Sequence, residues 1–183
     1  GTLLMTTTQT TKPRIYVACL SSYNEGRLHG KWINCSADID DMYSDIQAML
    51  AESKSPFAEE WEVHDVDGIS AHFVLYNGLD GIAEVMQASE DHDADAVAAY
   101  ISFFSEWDLK HFEEAYTACV ESAVGRIPLK QYAVERFWEL TGFNSTVQDE
   151  LSWYIDEDKI LREFENDNTV VKWGEFYYIF RSC

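Results

Sequence analysis

Between residues 32 and 109 the chain places 18 Asp and Glu side chains and a single base, Lys54. This excess constrains the fold more than any other feature of the sequence. A buried, unpaired carboxylate costs several kcal/mol, and one lysine cannot neutralise the set. The section must therefore fold with its carboxylates outside, wherever its apolar residues go. The flanks differ: residues 1–31 hold four bases and Glu25, and residues 110–183 hold 14 acids and eight bases, for a whole-chain charge of −20. Confinement of the excess to the middle argues against a general halophile surface. A disordered acidic tail does not fit either, because 46% of residues are hydrophobic and 14% aromatic.

So negative a surface repels nucleic acid and anionic membranes. No run of ~18 apolar residues is available as a membrane span. The amino terminus lacks a basic segment followed by a long apolar one, so no signal peptide is expected and the chain reads as cytoplasmic. The 183 residues suffice for one ordinary domain or two or three very small ones. Cys19, Cys35, Cys119 and Cys183 form no C-x-x-C pair and no zinc spacing with histidine. Reduced thiols are expected, and no metal or other cofactor.

Periodicity predicts an α+β fold built of small domains. Residues 1–12 read as a flexible lead-in, with Met5 a candidate natural start after a four-residue remnant. Residues 13–68 form an N-terminal α+β domain. In it, Ile15–Leu20 and Leu28–Cys35 make a hairpin around a Tyr23-Asn24-Glu25-Gly26 turn, and Trp61–Val66 adds a third strand. Between them Ile39, Met42, Tyr43, Ile46, Met49 and Leu50 recur at helical spacing, with Ser36 or Asp38 as cap. Residues 69–122 form an acidic helical middle, with stripes at Leu79/Ile82/Val85/Met86, Val97/Tyr100/Ile101/Phe104 and Leu109/Phe112/Tyr116/Val120, punctuated by Gly78 and Gly81. Residues 123–183 form a C-terminal α+β domain. It has a helix from Pro128 to about Gly142, a Ser145-Thr146-Val147-Gln148 capping box, a short helix at Ile160–Phe164, and a hairpin of Thr169–Trp173 with Phe176–Phe180.

Motifs for chemistry are weak. Glu90, Asp91, Asp93 and Asp95 resemble the start of a calcium loop, but Ala96 stands where the turn glycine belongs and Ser102 where a bidentate glutamate is needed. Helix capping explains Asp93 and Asp95 better. Glu52-Ser53-Lys54 sits at a helix end, not on the rigid strand that nuclease metal chemistry needs. His29, His64, His72, His92 and His111 are dispersed, and no phosphate-binding glycine loop is present. Trp32, Trp61, Trp107, Trp138, Trp153 and Trp173 read as core anchors rather than a stacking platform. No catalytic residue is expected.

What remains is the charge. On the first helix Asp38, Asp41, Asp45 and Glu52 fall nearly on one line, opposite the apolar stripe, with Asp38 and Asp45 about 10 Å apart. For one helix alone, a solvated face is the ordinary reading. Duplex DNA carries one charge per ~1.7 Å of axis, so twenty charges correspond to roughly one helical turn. A folded acidic body can therefore occupy the phosphate-binding channel of a DNA-binding protein. The exposed carboxylates expected to do so are Asp38, Asp41, Asp45, Glu52, Glu59, Glu60, Glu62, Asp80, Glu84, Glu90, Asp91, Asp93, Asp95, Glu106, Asp108, Glu113 and Glu114. The alternatives are an acidic chaperone or inhibitor of other basic DNA-binding proteins, and an acidic metal hydrolase.

Several segments resemble one family. Arg14-Ile15-Tyr16-Val17-Ala18, Ser22-Tyr23-Asn24-Glu25-Gly26 and Leu28-His29-Gly30-Lys31-Trp32 resemble the amino-terminal signature of ArdA antirestriction proteins. Val63-His64-Asp65 resembles the family's I-H-D segment, and Trp153-Tyr154-Ile155-Asp156 its Y-I-D element. The resemblance covers about residues 14–180. It implies an elongated, three-domain mimic of bent B-form DNA, carried by mobile elements, that occupies the DNA-binding groove of type I restriction–modification enzymes. It further implies a homodimer through the carboxy-terminal domain, which places Phe176, Tyr178 and Phe180 near the dimer contact.

Overall fold

The computed structural model describes residues 12–182. Nearly all of the expected lead-in, with Met5 and the preceding remnant, lies outside the described residues, as does Cys183. The chain divides into two compact units, residues 1–109 and 110–183.

The first unit opens on a three-stranded antiparallel sheet. Strand β1 (Arg14–Cys19) leads into a short helix α1 (Leu20–Asn24), then β2 (Gly30–Asn34), helix α2 (Ile39–Ala51) and β3 (Trp61–Asp67). The order is β2-β1-β3, so the most apolar strand takes the centre. Ile15, Val17, Ala18 and Cys19 are buried there. The pairing of β1 with β3 slips between Tyr16 and Val17, where Tyr16 opposes Asp65 but Val17 opposes Val63. The extra residue, His64, is a β-bulge that turns His64 and Asp65 outward together. The expected hairpin turn differs. Tyr23 and Asn24 finish α1, and Gly26 (φ 80°) follows its C-cap, so a helical turn joins the strands instead of a tight loop. Gly30 is demanded by close approach, since a Cβ there meets the Val17 carbonyl oxygen at 2.6 Å.

Helix α2 covers the sheet with Met42, Ile46, Met49 and Leu50, each at most 5% exposed. Asp38 caps it, accepting from the Asp40 amide at 2.9 Å. His29 Nε2 lies 2.7 Å from the Met49 carbonyl oxygen and pins the helix end to the approach of β2. Behind it, the hydroxyls of Ser22 and Ser53 lie 2.8 Å apart, and Ser55 Oγ donates to Glu25 at 3.0 Å. Glu25 also pairs with Arg27, and these bonds hold its carboxyl below the usual range.

Helices α3 (Ala71–Asp91) and α4 (Ala94–Phe103) pack together to complete the unit. Gly78 (φ 66°, ψ −161°) kinks α3, and just before the kink the Asn77 side chain donates to the Phe73 carbonyl and to the Ser105 carbonyl beyond α4. Gly81 is no break. It lies buried inside the helix, where a Cβ would meet that of Asn77 at 2.4 Å.

The second unit departs most from expectation. Helix α5 (Leu109–Ala115) begins where the second unit begins in the chain and stops short. Residues Tyr116–Glu121, expected to continue a helical stripe, form strand β4. It pairs with β6 (Phe176–Arg181), which also pairs with β5 (Asn168–Trp173), so the expected hairpin belongs to a sheet of order β4-β6-β5. Helices α6 (Ile127–Thr141), α7 (Ser145–Leu151) and α8 (Glu157–Asp167) lie between. Gly142 ends α6 in the left-handed region, as its position predicts. The α7 cap is Asn144, which accepts from the Val147 amide at 3.0 Å, and not Ser145.

Strand β6 is buried on both faces. Tyr177 and Ile179 join Leu129, Tyr132, Leu161 and Phe164 of α6 and α8. Tyr178 and Phe180 turn the other way, toward Tyr116 and Phe112. Exposed at 3% and 0%, Tyr178 and Phe180 are core residues of their own unit, and Phe176 is half-buried. The carboxy-terminal aromatics expected at a dimer contact are thus largely used up in this core.

Candidate functional site

The tryptophans are not core anchors. Trp61, Trp107, Trp138 and Trp173 are half-buried, Trp32 is 37% exposed, and Trp153 is 91% exposed. Trp32 serves as a platform within the sheet, with the Arg14 guanidinium 4.8 Å from its ring centre and Tyr16 against its edge. Arg14 also pairs with Asp67 at 2.9 Å.

The carboxylates stand where the charge argument requires. Of the seventeen expected at the surface, Asp95 is half-buried and all the others are exposed. Glu113 and Glu114 belong to the second unit and the others to the first. On α2, Asp38, Asp41, Asp45 and Glu52 form the expected line, but not opposite the core. At 100° per residue the line lies about 95° from the centre of the buried stripe, along its flank. The outermost ridge holds Asp40, Ser44 and Ala48, and Asp40 adds an exposed carboxylate absent from the sequence-based set. Asp65 is a second addition. Simple strand alternation does not find it, because the bulge at His64 resets which residues face out.

Many of these groups are not neutralised from within. Among the described residues, Asp38, Asp40, Asp41, Asp45, Glu52, Glu59, Glu60, Asp80, Glu84 and Glu90 make no ion pair. Glu62 has His64 at 3.5 Å, and Asp67 has Arg14. Asp93 instead caps α4, accepting from the amides of Asp95 (3.0 Å) and Ala96 (3.2 Å). That geometry gives Asp93 the capping role expected of it. Among the described residues, no group of three or more His, Cys, Asp and Glu could hold a metal ion, and no helix is long and apolar enough to cross a membrane.

Glu52-Ser53-Lys54 lies beyond the end of α2, with the Ser53 hydroxyl turned to Ser22. Burial and the nearby charge of Asp108 push the Tyr100 hydroxyl up to about 12. The arrangement is chemically simple. It presents fixed negative charge to any large cationic surface, and the ten carboxylates without an ion pair have none to break when they meet one.

The family model described as "Antirestriction protein (ArdA)" matches residues 15–178. No curated protein matches the chain.

Proposed function

This chain belongs to the ArdA family of antirestriction proteins, and on that premise we propose that it protects incoming mobile-element DNA by standing in for B-form DNA. In this reading the exposed carboxylates of the first unit occupy the DNA-binding groove of a type I restriction–modification enzyme. The observation that carries the reading is the exposed, internally unneutralised set of carboxylates on and around α2 and α3. Such a surface meets the Lys and Arg side chains that otherwise hold phosphates, and counterion release then drives association as it does for DNA. The protein acts by occupancy, in the bacterial cytoplasm, without a catalytic residue or cofactor. It acts as a homodimer whose contact lies outside the buried rings of Tyr178 and Phe180.

A displacement experiment tests this. A fluorescent duplex bearing the recognition site is bound to the purified DNA-binding core of a type I enzyme, and the protein is added. The expected result is loss of duplex anisotropy to the free-DNA value as the protein saturates the core. A ternary complex that keeps the duplex bound would contradict mimicry. Equal binding to unrelated basic DNA-binding proteins would favour the acidic-chaperone alternative.

A further inference from the structure

We propose that the outer face of the first sheet is a guanidinium-binding ledge, on which Arg14 is the resident occupant and an arginine side chain of a partner protein exchanges with it. The inference goes beyond the function proposed above. A field of carboxylates draws lysine and arginine alike, whereas this face separates them.

Strand register builds the face. Tyr16 stands opposite Trp32 on one side and Asp65 on the other, and Arg14 stands opposite Asn34 and Asp67. Directly opposed residues share a face, as do residues two apart on one strand. These side chains therefore lie on the side away from Ile15, Val17 and Ile33, which are at most 1% exposed beneath α2. Gly30 makes room for the phenol, since a Cβ there would come within 2.7 Å of the Tyr16 hydroxyl oxygen. Tyr16 accordingly leans toward β2, where its ring meets that of Trp32 at 62° with 5.5 Å between centres. Trp32 stays 37% exposed.

The chain itself shows which group the face takes. The Arg14 guanidinium lies 4.8 Å from the Trp32 ring centre, and its Nη2 donates to Asp67 at 2.9 Å. A guanidinium can lie against an indole and fork onto a carboxylate at once; a lysine ammonium matches the charge but not the planar fork. The hold on Arg14 is light. Both partners of its ion pair are 40% exposed, and pairs so placed contribute little. Asp65, across from Tyr16, makes no ion pair among the described residues. One of its oxygens accepts from the Val66 amide at 2.8 Å. With Asp65 and Asp67 set against Arg14 alone, the face is negative and complements a cationic partner. An incoming arginine gains Asp65, which Arg14 does not use.

The test uses the whole chain and two blocked peptides, acetyl-tetra-arginine amide and acetyl-tetra-lysine amide. The readout is the indole N–H resonance of Trp32, assigned by its loss in Trp32→Phe. The arginine peptide is expected to shift it at about three-fold lower concentration than the lysine peptide. Arg14→Gln removes the competing occupant, so it is expected to widen that preference. Asp65→Asn is expected to narrow it, with circular dichroism confirming that both variants fold. Equal responses of Trp32 to the two peptides would overturn the proposal. So would an unchanged preference in Arg14→Gln, which would make Arg14 a fixed brace of the sheet. A Trp32 resonance that moves on simple dilution of the protein would also overturn it, since a second copy would then be the occupant.

Discussion

Asp45 and Ile46 are neighbours in sequence with opposite environments, one exposed and one at 0% exposure. Ile46→Ala leaves a cavity under α2 and is expected to cost about 2–5 kcal/mol in urea unfolding. Asp45→Asn is expected to change stability by no more than about 0.5 kcal/mol. Comparable losses in the two variants would contradict the assigned faces. Two buried acids set the alkaline limit. Burial pushes the Cys35 thiol up to about 12, and burial with the charge of Asp108 does the same for Tyr100. Both folded-state values are raised, so the folded chain binds protons more tightly. Their contribution is complete below the ordinary values of 9.0 and 10.0 and is lost as pH climbs from there toward about 12. Urea midpoints are expected to fall between pH 9 and 11, and to fall less steeply in Tyr100→Phe. An equal slope in that variant would remove Tyr100 from the account. At this scale the sequence separates Asp45 from Ile46 by helical phase. It misplaces Trp153, because residue type alone does not say whether a large ring finds a pocket.

Helix starts were legible where a side chain does the capping. Asp38 and Asp93 both occupy their expected places. Asn144 displaced Ser145 at the next start because it can also accept from an amide three residues on, and the Ser145 motif conceals it. Asn144→Ala is expected to cost about 1 kcal/mol and to fray α7, read as faster hydrogen exchange at Thr146 and Val147. Unchanged exchange would contradict the cap. The element lost from the sequence reading was β4. Leu109, Phe112, Tyr116 and Val120 match a helical period, yet Tyr116–Glu121 is a strand. Its β-favouring Tyr, Thr, Cys and Val find a partner in β6, about sixty residues away, and that distant pairing overrides the local period. The bulge at His64 is equally invisible from alternation, and it is why Asp65 was missed.

Over the whole molecule the acidic surface is legible because solvation leaves so much uncompensated charge no other place. Its chemistry should therefore be distributed. Removing one exposed charge, as in Asp41→Asn or Glu84→Gln, is expected to weaken inhibition of a type I enzyme by no more than about five-fold. Neutralising Asp38, Asp41, Asp45, Glu52 and Glu59 together is expected to weaken it far more, with folding checked by circular dichroism. A folded single-site variant with no inhibition would indicate a discrete site instead of a field. The most direct measurement of the central claim is cleavage of unmodified DNA by a purified type I enzyme, with this protein titrated at several salt and DNA concentrations. The account predicts inhibition that excess DNA relieves and that weakens steadily with salt. Inhibition indifferent to added DNA, or none at stoichiometric excess, would contradict it.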